Sequence, residues 1–182
     1  MKYTPMHIPD MVMMTPDVHS DERGCFLEVF KDDVFREKVA DVTFVQENQS
    51  DSVKGTLRGL HYQISRTQGK IIRVTSGVVF DVGVDLRKSS PFFGKWVGVT
   101  LSSESKNMLW LPPGFAHGFY VMSEQAQLIY KCTDYYAPEH ERTLMWNDPE
   151  IGIKWPLIRE ELMLISEKDK NGVKLKDTEV FS

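Results

Sequence analysis

A chain of 182 residues with 41% hydrophobic and 26% charged residues suits a single folded core and is too apolar to stay disordered. A net charge of −4 argues against broad binding to nucleic acid or to anionic membranes, although a local Arg/Lys cluster can still admit an anionic substrate. No stretch approaches membrane-spanning length, and the N-terminal MKYTPMHIPDMVMM lacks a basic-then-apolar signal layout. The expected compartment is therefore the cytoplasm, with Cys25 and Cys132 reduced and acting as small hydrophobes.

No internal repeat, low-complexity tract or Gly/Ser linker divides the chain, so residues 1–182 are expected to form one domain. The first regular element is a helix over 31–40, where Asp32 and Asp33 lie near the positive end and Val34, Phe35, Lys38 and Val39 fall near one face. The middle reads as strands. KIIRVTSGVVFDVGVDLR (70–87) carries β-branched, alternating runs broken at Ser76-Gly77, and similar runs follow at 95–102, 107–114, 117–123 and 126–136. Short, regular spacing between turns predicts an all-β sandwich or barrel. Two further short helical pieces are expected after Trp155-Pro156, in a tail (156–182) that decorates the barrel.

The segment Pro112-x-Gly114-x-x-His117 resembles the second conserved motif of the cupin superfamily, in which a turn aims a histidine into a small double-sheet barrel. The first cupin motif runs H-x-H, then Glu, then Gly. Here the corresponding residues are His61-Tyr62-Gln63, then Lys70, then Gly77. Three histidines and a carboxylate suit a divalent transition metal. With Gln63 in place of the second histidine and an ammonium in place of the Glu, the set repels a cation, so no metal is expected. A lysine in that position can still stabilise negative charge on a substrate oxygen.

Singly, each residue also has an ordinary reading. A barrel histidine such as His117 is often a hydrogen-bonded structural group, and a lysine after Gln-Gly is often a solvated turn residue. The tyrosines of YKCTDYY alternate at strand spacing, which by itself fills a core, and Arg58 suits a strand edge.

Together, the segments DERGCFLEVF (21–30), FVQENQS (44–50), LRGLHYQ (57–63), QGKIIRV (68–74), GVVFDVGVDLRKSSPFFGKW (77–96), LWLPPGFAHGF (109–119), YKCTDYYAPEHE (130–141), WNDP (146–149) and SEKD (166–169) resemble the dTDP-4-dehydrorhamnose 3,5-epimerases, metal-free cupins of deoxysugar biosynthesis. The matches run in family order from near residue 20 to near residue 170. The resemblance implies a cupin-type double-sheet jelly-roll barrel with a few short peripheral helices. It implies that His61 is the general base, oriented by Asp169, that Lys70 sits at the ketone oxygen, and that Tyr130 is the acid on the opposite face of the sugar. Arg23, Phe26, Glu28, Gln46, Asn48, Arg58, His117, Glu141 and Lys168 would line the nucleotide-sugar site, with Tyr136 stacked on thymine. The implied assembly is a homodimer with exchanged N-terminal strands, in which Arg23, Phe26 and Glu28 serve the partner's site.

This set suits the chemistry. Inverting a carbon beside a C4 ketone requires removing an acidified C–H proton and returning one to the other face. A neutral imidazole steadied by a carboxylate is a suitable base near pH 7. A lysine at the developing oxyanion is worth ~3–4 kcal/mol by analogy with one oxyanion-hole donor. An ammonium near Tyr130 would favour its ionised form. Arg23 and Arg58 suit pyrophosphate. The ketone itself acidifies both neighbouring carbons, so no cofactor is expected. The alternatives are a 3-only or 5-only epimerase, a ketoisomerase on the same scaffold, a metal-dependent cupin oxygenase and a non-catalytic sugar-binding cupin.

Overall fold

The alternating runs of the chain become two facing sheets in the computed structural model, which describes residues 1–157 and 162–182. The N-terminal part contains β1 (Lys2–Pro5), β2 (Val12–Thr15), β3 (Val18–Asp21), β4 (Gly24–Leu27), helix α1 (Asp32–Lys38), β5 (Gln46–Val53) and β6 (Thr56–Gln63). There follow β7 (Lys70–Ser76), β8 (Val78–Asp85), β9 (Trp96–Ser102), β10 (Met108–Leu111), β11 (Phe115–Val121), β12 (Gln125–Cys132) and β13 (Glu141–Thr143). The tail holds β14 (Leu164–Ile165) and the short helix α2 (Glu167–Lys170).

One sheet has the order β1-β2-β10-β7-β12-β5, and the second β13-β6-β11-β8-β9 with β14 parallel on β6. Both contribute to the central core: Ile72, Leu109 and Leu128 from the first meet Val79, Val97 and Phe119 from the second. This is the all-β, cupin-like double-sheet barrel that the resemblance implied. The break at Ser76-Gly77 is a tight turn between β7 and β8, and Gly77 has a φ of +80°, a conformation in which a side chain is strained.

Two strands escape a reading based on apolar alternation. β5 is QENQSDSV, yet its residues alternate between half-buried and exposed, so its period is that of a strand whose inward face is polar. β6 follows it directly. The helix is shorter than 31–40, and of its inward residues only Phe35 is fully buried, within 5.2–5.7 Å of the Phe30, Phe44 and Trp110 rings. The two short helical pieces expected in the tail are α2, four residues long, and a 3₁₀ turn over Leu175–Asp177. Residues 158–161 of that tail lie outside those described. The rest packs on the second sheet, through β14 and through bridges from Val173 to Leu144 and from Phe181 to Arg87. Strand β2 pairs with this chain's own β10 and carries β1 on its other edge, whereas β3 and β4 form a separate hairpin. Cys132 is buried and Cys25, on that hairpin, is exposed, so only Cys132 acts as a core hydrophobe.

Strands β6 and β11 approach unusually closely where they carry His61 and His117. A Cβ on Gly118 would lie 2.6 Å from the Arg58 carbonyl oxygen, and one on Gly59 2.6 Å from the Gly118 Cα. The Gly118→Ala variant is expected to lose about 1–3 kcal/mol of stability through overpacking, measured as a lower urea midpoint at unchanged m-value.

Candidate active site

The central core fills one part of the barrel with apolar side chains, and a polar cavity of about 360 Å³ occupies another. It opens between strands of both sheets. Strand β5 turns Gln46 and Asn48 toward it, β6 His61, β7 Lys70, β12 Tyr130 and β13 Glu141, and Tyr136 stands beyond the end of β12. Seven of the residues expected at the site therefore line one space, although they are spread over 96 positions of sequence, from 46 to 141.

His61 is held from behind by the tail. Its Nε2–H donates to Asp169 Oδ1 at 2.6 Å, and the Gly59 N–H donates to the other oxygen at 3.2 Å. Asp169 is only 3% exposed. Burial works against its ionisation, but the His61 and Gly59 hydrogen bonds outweigh that and hold its pKa below the usual carboxylate value. With Nε2 committed, Nδ1 is the ring nitrogen left for a substrate proton.

Lys70 and Tyr130 adjoin. The ammonium lies 5.9 Å from the Tyr130 ring centroid, over the face of the ring. Burial pushes the Lys70 pKa down, against the pull of Cys132, Asp81 and Glu141. Lys70 is thus no solvated turn residue. Burial also pushes the Tyr130 phenol up, and Cys132 adds to this, while Asn48 and Arg58 act in the opposite sense. The expectation that an ammonium favours phenolate is corrected here: burial dominates, and a phenol held in its protonated form is the better donor. Of the three tyrosines in YKCTDYY only Tyr130 turns inward, because β12 ends at Cys132 and leaves Tyr135 and Tyr136 about half exposed.

A second tier braces the cavity wall. Lys168 Nζ donates to Glu141 Oε2 at 2.8 Å, and the Tyr136 hydroxyl donates to the same oxygen at 3.1 Å. Gln46 accepts from the Tyr136 N–H at 2.8 Å and donates to Asn48 Oδ1 at 3.0 Å. Gln63, at the position of a cupin ligand, spends its whole amide on backbone. Nε2 donates to the Arg66 and Tyr135 carbonyls at 2.7 and 3.2 Å, and Oε1 accepts from the Ala137 N–H at 2.9 Å. His117 is buried and its Nε2 lies 3.0 and 3.1 Å from the oxygens of Asp81. Among the described residues no three His, Cys, Asp or Glu side chains gather in a set able to hold a metal ion.

Other expected residues lie elsewhere. Arg58 borders a neighbouring cavity of about 510 Å³, where its Nε donates to Ser52 Oγ at 3.1 Å. Arg23 and Phe26 belong to the β3–β4 hairpin; Arg23 pairs with Asp21 at 2.6 Å and Phe26 is 73% exposed. Glu28 follows the hairpin and is also exposed. Within one chain these three do not reach the cavity that holds His61. Tyr62 and Gln68 line that cavity without having been anticipated, and neither carries a sequence signal that distinguishes it. Asp81 was missed too, although an aspartate inside the apolar run VVFDVGVD was a usable sign.

The family model described as dTDP-4-dehydrorhamnose 3,5-epimerase matches residues 5–177 of this chain. The chain belongs to that family. A family member from Pseudomonas aeruginosa is 52% identical over 182 residues, covering 100% of this chain and 99% of its own length. Another, from Neisseria gonorrhoeae, is 56% identical over 91% of this chain, which spans 50% of that longer relative. The crystal structure of the dTDP-6-deoxy-D-glucose-3,5-epimerase from Legionella pneumophila Philadelphia 1, in complex with dTDP-4-keto-L-rhamnose, superposes with a TM-score of 0.94 at 46% identity. That alignment covers 98% of this chain and 94% of the other.

A depressed Asp169 pKa stabilises the fold above the unfolded-state value of about 3.9, and that contribution disappears as pH falls through the folded value. The stability difference between the wild type and Asp169→Asn is therefore expected to shrink from pH 6 toward pH 2.5. Calorimetric melts across that range check it.

Proposed function

We propose that this chain epimerises C3 and C5 of dTDP-4-dehydro-6-deoxy-D-glucose to give dTDP-4-dehydro-L-rhamnose, with His61, Lys70, Tyr130 and Asp169 as its working residues. The observation that carries the assignment of roles is the 2.6 Å His61–Asp169 bond set behind a cavity that Lys70 and Tyr130 also line. His61 Nδ1 removes the proton from the carbon next to the ketone. The C–H pair becomes the enolate double bond, and negative charge collects on the C4 oxygen beside the Lys70 ammonium. Tyr130 then delivers a proton to the opposite face, and water restores both groups before the second carbon reacts. The ketone does the acidifying, so this route calls on no redox cofactor.

Substrate binding follows from the same placement. Tyr136 offers an exposed ring face for the base, and its hydroxyl is braced by Glu141. Arg58 suits the diphosphate or the adjoining sugar oxygens. The hairpin residues Arg23, Phe26 and Glu28 act in a second copy's site, in a homodimer. Support comes from the exposure of the hairpin, whose Phe26 leaves a whole aromatic ring in water within one chain. Among the described residues no helix is long and apolar enough to cross a membrane; we place the chain in the cytoplasm, where its two cysteines would stay reduced.

Incubation with the 4-keto sugar nucleotide in deuterated water is expected to label C3 and C5; label at C3 alone overturns the double epimerisation. His61→Ala and Lys70→Ala should each lower kcat by about 10²–10⁴-fold. Tyr130→Phe should slow epimerisation more than hydrogen exchange. For the dimer, Arg23→Ala and His61→Ala chains carrying different tags can be co-expressed. Heterodimers should regain up to half of the wild-type activity that each homodimer lacks, because one of their two sites is whole.

A further inference from the structure

The barrel contains a second histidine–carboxylate pair. Asp81 of β8 is 0% exposed, and its hydrogen bonds among the described residues come from His117 of β11, whose Nε2 lies 3.0 and 3.1 Å from its two oxygens. On β8 the alternate residues Phe80, Val82 and Val84 pack beneath the tail, so Val79 and Asp81 face the barrel interior. A fully buried carboxylate is costly unless its charge is used or compensated. His117 Nε2 is within hydrogen-bonding distance of both oxygens and is their partner among the described residues.

That charge sits where a cation works. Lys70 on β7 is half-buried in the cavity wall; burial disfavours its ammonium, and the opposing attraction comes from Cys132, Asp81 and Glu141. Those three differ. The Cys132 thiol is pushed up by burial and remains neutral near pH 7. Glu141 is already paired with Lys168 at 2.8 Å. Asp81 has a histidine as its partner. The same Tyr130 ring stands 6.4 Å from the His117 ring and 5.9 Å from the Lys70 ammonium, so the pair adjoins the catalytic cluster. His61 faces it from β6, in register opposite His117.

We propose that Asp81 is a positioning residue of this reaction: it fixes the His117 ring through Nε2 and supplies the buried negative charge that keeps Lys70 cationic where the enolate oxygen forms. The inference rests on the role assigned to Lys70 above. Asp81 touches no reacting atom and acts through these two neighbours.

The test is the pH dependence of kcat. Asp81→Asn keeps the shape and removes the charge. Its kcat at pH 8 is expected to fall about 10–100-fold, with the alkaline limb of the profile moved about one pH unit lower and KM changed by less than about threefold. In a Lys70→Ala background the same substitution should change kcat by less than about threefold, since the group it serves is gone. Asp81→Ser, which also accepts from His117, provides the same comparison where the Asn variant does not fold. A wild-type profile in either folded variant, or losses that multiply with that of Lys70→Ala, overturns the inference. Wild-type turnover in Lys70→Ala alone would instead overturn the assignment of Lys70, so the two failures are told apart.

Discussion

The bond between His61 and Asp169 joins residues 108 positions apart, and the rest of the molecule is arranged so that it can form. One end sits on β6 in the barrel wall, the other on the four-residue helix α2 in the tail. For the two to meet, the tail must lie along the second sheet. It does so through β14 on β6, the bridges at Val173 and Phe181, and apolar contacts of Ile151, Leu175 and Phe181 beneath β8. A tail that looks like decoration is thus the mount of the carboxylate that holds His61. Its apolar packing supplies the energy, and the hydrogen-bonded pair is positioned by it.

Charge within a low-dielectric space sets the second constraint. Lys70, Asp81, Glu141 and Asp169 are all at least partly removed from water, so each interaction among them is stronger than at the surface and each lost partner more costly. Lys168 answers Glu141, and His61 answers Asp169. Tyr130 lines the same cavity, with its phenol kept protonated by burial, as the donor role we propose for it requires. The wall opposite is polar by design of strand β5, whose inward Gln46 and Asn48 give up apolar burial to present amides.

How much of this was legible in the chain varies with the kind of signal. The strands from Lys70 to Cys132 declared themselves because alternating apolar residues and turn glycines are local features. β5 did not, because its inward face is polar and lines the cavity, and so lacks the apolar alternation that marks a strand. The first helix was read a little long, whereas the tail holds the two short helical pieces expected of it. Those pieces stay short because packing onto the barrel outweighs weak propensity in short segments. Tyr135 and Tyr136 shared a pattern with Tyr130 and left the core only because their strand stopped.

The sequence by itself determined the fold class and the replacement of the cupin ligand set at Gln63 and Lys70, and its family resemblance supplied the base, cation and acid that we propose. These rest on residue type and on order along the chain, which a motif preserves. Tertiary structure added the 2.6 Å contact by which Asp169, already implied by the resemblance, meets His61, the burial that keeps the Tyr130 phenol protonated, and the place of Asp81 behind His117. It also set Arg23, Phe26 and Glu28 outside their own chain's cavity. Distance, burial and the direction of a ring face arise only when strands remote in sequence are brought into register, and the electrostatics of a site depend on all three.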